Sequence, residues 1–226
     1  MQFDKFSGLF PSFYLAPIGY YKLLALASLV QIEQHEFFHK QTYRNRAVIY
    51  GANGLLPIII PLKYKNHTPI KDVLIAYDYD WQKLHWRTLE SAYRNSAYFE
   101  FYEAELIPFY EKKFTHLLEF NSGLEKKIIE LIGLEINLNF TSSYVAEPNK
   151  SIDYREFFHP KKDFTQSVKG ISKKFSLNPS LFNFNPYPQV FGNKFGFLPN
   201  LSIIDLLFNL GPQCITYLKE NNAAIG

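Results

Sequence analysis

The 226-residue chain has one cysteine, one methionine and two tryptophans, and its formal net charge is only +3. A lone Cys214 excludes an internal disulfide and fits a reducing compartment. Nucleic-acid binding demands a concentrated basic face, so no nucleic-acid partner is expected at this charge. Long apolar runs are also missing. Residues 23–30 are apolar but far shorter than the ~20 residues of a membrane-spanning helix. Asp4 offsets Lys5 ahead of them, so the basic start of a secretory signal is lacking. No transmembrane segment and a cytoplasmic location are the resulting expectations. Neither a Walker A loop nor a Rossmann glycine pattern occurs, and no cofactor or metal is expected; Gly51-Ala52-Asn53-Gly54 reads as a turn.

Aromatic residues are abundant. The 22 Phe, 16 Tyr and 2 Trp make up 18% of the chain. With 47% hydrophobic and 20% charged residues, the chain can bury a full core. The rings supply core volume, each buried Tyr hydroxyl needs a partner, and some rings are candidate sugar or base platforms.

Hydrophobic patterning predicts a single α/β domain over residues 1–226, a mixed β-sheet flanked by helices. Residues 20–28 read as a short helix and 29–34 as a strand. Strand-like stretches follow at 40–49, 55–62 and 73–77, with Pro57 and Pro61 marking an edge. Asp80 is suited to cap a helix over 81–93. Further helices are expected over 99–107 and 108–132, the latter stopped by Gly133. Ile136, Leu138 and Phe140 alternate with polar residues, as in a half-buried strand. Periodicity fades between 145 and 188, and a long loop or arm is expected over about 145–185. Asn200 is expected to cap a helix over 201–210, which Gly211 ends.

His35-Glu36-Phe37-Phe38-His39 matches HExxH, which on a helix places two imidazoles for zinc beside an activating Glu. The strand-like residues before it, the adjacent Lys40 and the lack of an evident third ligand weigh against a zinc hydrolase.

Other groupings carry more. An extended 40–46 would set Lys40, Thr42, Arg44 and Arg46 on one face, a cradle for phosphate or carboxylate, with Tyr43 and Asn45 opposite. The bland alternative is a solvated strand face or cross-strand ion pairs. Ser202, Asp205 and Asn209 form a polar stripe on an apolar helix; Asp205 is a candidate base, or a buried carboxylate tying helix to sheet. His35 follows a strand, where ligand crevices of open α/β sheets lie, and is a candidate general base or a structural histidine. His85 and Trp86 share a helix, and Trp86 is a sugar platform or a core anchor. Asp153-Tyr154-Arg155 opens the long arm and would close over a ligand, or be merely solvated.

Five blocks carry a family resemblance: residues 14–21 (YLAPIGYY), 40–46 (KQTYRNR), 93–96 (YRNS), 186–191 (PYPQVF) and 197–205 (FLPNLSIID). In this order they resemble the WbqC-like family of bacterial polysaccharide and O-antigen gene clusters. The opening prolines are shifted, and residues 145–185 replace a further alternating segment of longer members. The resemblance implies a glycyl- or acyl-type transferase acting on an activated sugar or sugar-linked intermediate. In that reading Arg44 and Arg46 hold the anionic part of a small-molecule or sugar-nucleotide substrate. His35 or Asp205 takes a proton from the acceptor, and Tyr187 and Gln189 line the pocket beside Asn200 and Ser202. The rival reading is a non-catalytic binding or scaffold protein of a polysaccharide-assembly complex.

Overall fold

A computed structural model describes residues 6–148, 151–161, 164–175 and 179–220. The first half contains β1 (Phe6–Pro11), α1 (Ile18–Leu26), β2 (Ala27–Glu33), β3 (Arg46–Gly51), β4 (Gly54–Ile59), β5 (Leu62–Lys63) and β6 (Leu74–Ile75). Helices α2 (Trp81–Tyr93), α3 (Phe99–Leu106), α4 (Pro108–Glu111) and α5 (Leu117–Ile132) follow. The remainder is β7 (Leu138–Phe140), β8 (Ile152–Asp153), α6 (Phe164–Phe175), α7 (Gly192–Phe195), α8 (Ile203–Leu210) and α9 (Cys214–Lys219). Among the described residues no helix is long and apolar enough to cross a membrane.

The expected α/β class is observed. Its centre is a 4-stranded sheet of order β7-β2-β1-β8, every pairing parallel. The antiparallel pairs β3–β4 and β5–β6 stand as separate two-stranded sheets. From β1 the chain moves through β2 to β7 on one side, then returns to place β8 against the other edge of β1. That reversal makes the end of β1 the topological switch point, the usual ligand crevice of such sheets.

Strand β1 has no alternating pattern, because a strand at the centre of a parallel sheet is covered on both faces. Gly8 within it has a packing reason. A Cβ there would lie 2.4 Å from the Phe10 ring and 3.2 Å from Tyr154. Without it, Phe10 and Tyr154 stack at 4.8 Å between centroids. The rest of the core is similarly aromatic, with Tyr14, Tyr20, Tyr93, Phe99, Phe120 and Phe208 all removed from water.

Local signals hold in several helices. Asp80 caps α2 by accepting from the Lys83 amide at 3.2 Å, and Gly133 ends α5 with φ of 74°.

Four sequence expectations are corrected. The single helix over 108–132 is two, because the intervening residues pair with the β6 region: Ile75 N donates to Thr115 O, and Leu117 N to Val73 O. Residues 40–45 form turns rather than a strand, with Gln41 at φ 61° and the Thr42 hydroxyl donating to His39 O. The described part of the 145–185 segment is no bare arm; it supplies β8, α6 and a 3-10 turn over Pro179–Phe182. There Phe157, Phe158, Phe164 and Phe182 pack ring against ring. Asn200 caps a different helix from the one expected. Its Oδ1 accepts from Gly19 N at 2.8 Å, at the start of α1, and α8 is capped by Ser202 instead.

Candidate functional site

The segments leaving β2, β7 and β8 enclose a cavity of about 630 Å³ that straddles the C-terminal end of β1. His35, Glu36 and His39 come from beyond β2, Tyr144 from beyond β7, and Asp153, Arg155 and Glu156 from the end of β8.

The wall is held by a buried carboxylate. Glu33, fully covered, accepts from His35 N at 2.8 Å, Thr141 Oγ1 at 2.9 Å and Val145 N at 2.9 Å. Three donors, one beyond β2 and two beyond β7, lock the exits of the two strands together. The His35 ring points Nε2 at the Thr141 carbonyl, 3.2 Å away. A carbonyl only accepts, so Nε2 carries a proton, and in the uncharged ring the lone pair would sit on Nδ1. With Nε2 engaged, Nδ1 is the ring nitrogen left to accept a proton, on a half-buried residue lining the cavity.

Two guanidinium groups brace the other side. Arg44 grips Glu36 through Nε to Oε1 at 2.9 Å and Nη2 to Oε2 at 2.7 Å. Burial pushes the Glu36 carboxyl up, and the facing Arg44 charge opposes that shift. Arg155 wraps Asp153 and donates to Val145 O at 2.8 Å, so its charge is likewise consumed. Among the lining residues the carboxylates Glu36, Asp153 and Glu156 outnumber the one guanidinium, Arg155. The cavity is acidic and favours a ligand group that donates hydrogen bonds or carries positive charge.

Phe37 and His39 also wall a second, shallower cleft of about 380 Å³, with Lys40, Lys65, His67, Phe38 and Tyr64. No acidic residue lines it. Its floor is built: Phe38 N donates to Thr68 O at 2.9 Å, and the Thr68 hydroxyl closes the turn onto Lys65. Lys40 lies over the Tyr64 ring at 5.7 Å. The acidic cavity and the basic cleft thus share a wall.

The structure brings His35 and Lys40 to this bipartite groove. Arg44 lies behind the wall, only 1% exposed and committed to Glu36. Asn45 Nδ2 donates to Ile60 O at 2.9 Å, pinning the residue before β3 to the residue that follows β4. Tyr43 packs edge-on to Phe13, and burial pushes its hydroxyl up to about 12. Arg46 is half-buried with no hydrogen-bond partner for Nε, and lines neither cavity. The expected cradle of Arg44 and Arg46 is therefore not formed.

Asp205 is fully buried and accepts from Tyr93 Oη at 3.0 Å, Tyr187 Oη at 2.6 Å and Gln189 Nε2 at 2.9 Å. Gln189 also pairs with both backbone groups of Leu198. Tyr187, Gln189, Asp205, Ser202 and Asn200 thereby knit α8 to its neighbours, with no opening for a guest among the cavities described. Burial pushes the Asp205 carboxyl up, and its three donors offset part of that. Trp86 lines a separate groove. His85 is in the core beside Tyr14 at 3.0 Å, and burial lowers it to about 4.

Residues 35–39 are not helical, so the HExxH histidines do not share a helical face. Among the described residues, no cluster of three or more His, Cys, Asp or Glu is placed to hold a metal. Sequence reasoning missed Thr141, Tyr144 and Lys65. They join the site only through strand pairing and loop packing, which leave no local signal.

A parallel α/β sheet with a polar crevice at its switch point defines an α/β protein with a ligand-sized site. The chain belongs to the WbqC-like protein family, whose model matches residues 12–217. It is 30% identical over 217 residues to Uncharacterized protein Rv1507c of Mycobacterium tuberculosis, spanning 89% of this chain and 92% of that protein. No solved structure matches.

Proposed function

We propose that the chain is a glycyl- or acyl-type transferase acting on an activated sugar or sugar-linked intermediate in cell-surface polysaccharide synthesis. The observation that carries this reading is the bipartite groove: an acidic cavity holding His35, joined through Phe37 and His39 to a basic cleft. The acceptor's hydroxyl or amine enters the acidic side. His35 Nδ1 takes the acceptor's proton as the acceptor attacks the donor's carbonyl carbon. The bond from that carbon to the donor's thiol sulfur or ester oxygen then breaks, and the proton passes from His35 to the departing thiol or alcohol. Lys40 and Lys65 take over the anion-holding role first expected of Arg44 and Arg46, and face the donor's negatively charged portion.

The test is binding and transfer, measured separately. A thermal-shift screen of nucleotide sugars, acyl-CoAs and aminoacyl donors should yield a stabilising ligand. Converting Lys40 and Lys65 together to Ala should weaken it about tenfold, the scale of one or two lost charge contacts. His35→Gln should retain binding while losing product formation by mass spectrometry. Unchanged affinity in the double variant, or full turnover in His35→Gln, would remove the reading.

A second reading is a non-catalytic component of a polysaccharide-assembly complex. What favours it is the apolar outer strand β4, with Leu55 63%, Leu56 37% and Ile59 39% exposed.

A further inference from the structure

The groove bearing Trp86 shares no lining residue with the site above. It measures about 640 Å³ and lies between α2, the loop before it, and α4. Pockets of this size hold small molecules. Its chemistry differs from that of the first site. The walls are the rings of Tyr77, Tyr79, Trp86 and Tyr110. Around them stand Asp80, Glu111, Lys83 and Lys113, two carboxylates and two ammonium groups. The formal charge balances, which disfavours a phosphate or polyanion and leaves many donors and acceptors for a neutral guest.

The walls are fixed in advance. The Tyr77 hydroxyl donates to Phe114 O at 3.0 Å and accepts from Phe114 N at 2.9 Å. Gln82 spends its amide hydrogens on Phe109 O at 2.9 Å and Lys112 O at 2.7 Å. Its side-chain carbonyl remains as an acceptor on the lining. Trp86 is 8% exposed and acts as floor, whereas Tyr79 is 52% exposed and offers a ring face at the mouth.

From this arrangement we infer that the groove is a second binding site, for a neutral carbohydrate. The C–H face of a pyranose ring packs on an aromatic plane. Its vicinal hydroxyls meet carboxylate, amide and ammonium groups at the rim. A nucleobase would use the same plane but lacks the run of hydroxyls that the balanced rim serves. The assignment stands on this groove alone and does not depend on the transferase reading.

Saturation-transfer NMR on the full chain tests it, with maltotriose, cellotriose and N,N′-diacetylchitobiose as probes and adenosine as the competing chemistry. At least one sugar should receive saturation, strongest at its ring C–H protons. Tyr79→Ala, at an exposed position, should weaken that affinity about tenfold, as loss of an aromatic contact does. His35→Gln should leave it unchanged. Absence of transfer to all three sugars overturns the assignment, as does equal affinity in Tyr79→Ala. So does adenosine binding in preference to the sugars, or loss of sugar binding in His35→Gln. Since the transferase reading is tested by product formation at His35, either can fail while the other stands.

Discussion

Arg44 and Glu36 face each other through two parallel hydrogen bonds, with side chains 1% and 6% exposed. Glu36 lines the acidic cavity with Arg44 behind it, and Arg44 Nη2 also reaches Arg155 O at 3.3 Å. It joins the turn after β2 to the turn before β3 and to the exit of β8.

Breaking one half leaves a buried charge uncompensated. Arg44→Ala should destabilise the protein by about 3–5 kcal/mol in urea unfolding, whereas a double Arg44→Met, Glu36→Leu variant should recover most of that. A double variant as unstable as the single one would show that the ion pair is not the source of the loss.

Glu125 makes the protein's stability depend on pH. Its carboxyl is buried, with no hydrogen-bond partner for Oε1. Burial pushes it from an ordinary 4.5 to about 8, and the Tyr20 hydroxyl offsets part of the shift. The folded state therefore keeps a proton that the unfolded state releases. Stability from this group is fully present below pH 4.5 and is lost as pH rises through about 8. Asp205, also raised, pulls in the same direction. Glu125→Gln should flatten the dependence. Its stability relative to the parent should climb with pH across that window, by at most about 1.4 kcal/mol per pH unit. Chemical denaturation at several pH values measures it; a parallel pH profile in the two proteins contradicts the assignment.

Asp205 is predicted to be structural. Asp205→Ala removes the acceptor shared by Tyr93, Tyr187 and Gln189, at a cost of about 2–4 kcal/mol. Folded Asp205→Ala protein should still bind whatever ligand the His35 groove binds. Wild-type stability with lost binding would reverse that assignment.

Much of the helical framework was legible because its signals are local. Asp80 before an amphipathic stretch, and Gly133 after one, each act within a single turn of backbone. Central strand β1 escaped notice for the opposite reason. Phe-Ser-Gly-Leu-Phe-Pro has neither alternation nor β-branched residues, and becomes a strand because β2 and β8 flank it. The helix break at 112–116 is likewise a tertiary effect, since pairing with the β6 region outweighs helix propensity. At the site, His35 was legible from its place just after a strand. The fate of Arg44 was not, because turning 40–45 inward aims it at Glu36.

Composition and periodicity alone determined the α/β class, the aromatic core and most helix ends, and ordered motifs carried the family kinship. Those properties follow from interactions among residues a few positions apart, or from summed hydrophobicity. Tertiary structure decided which charges meet. Glu33 with Thr141, Arg44 with Glu36 and Asp205 with Tyr93 are pairings made by strand order and turn direction. A buried charge must be matched wherever the chain delivers it, and only the folded path sets which residue is delivered opposite.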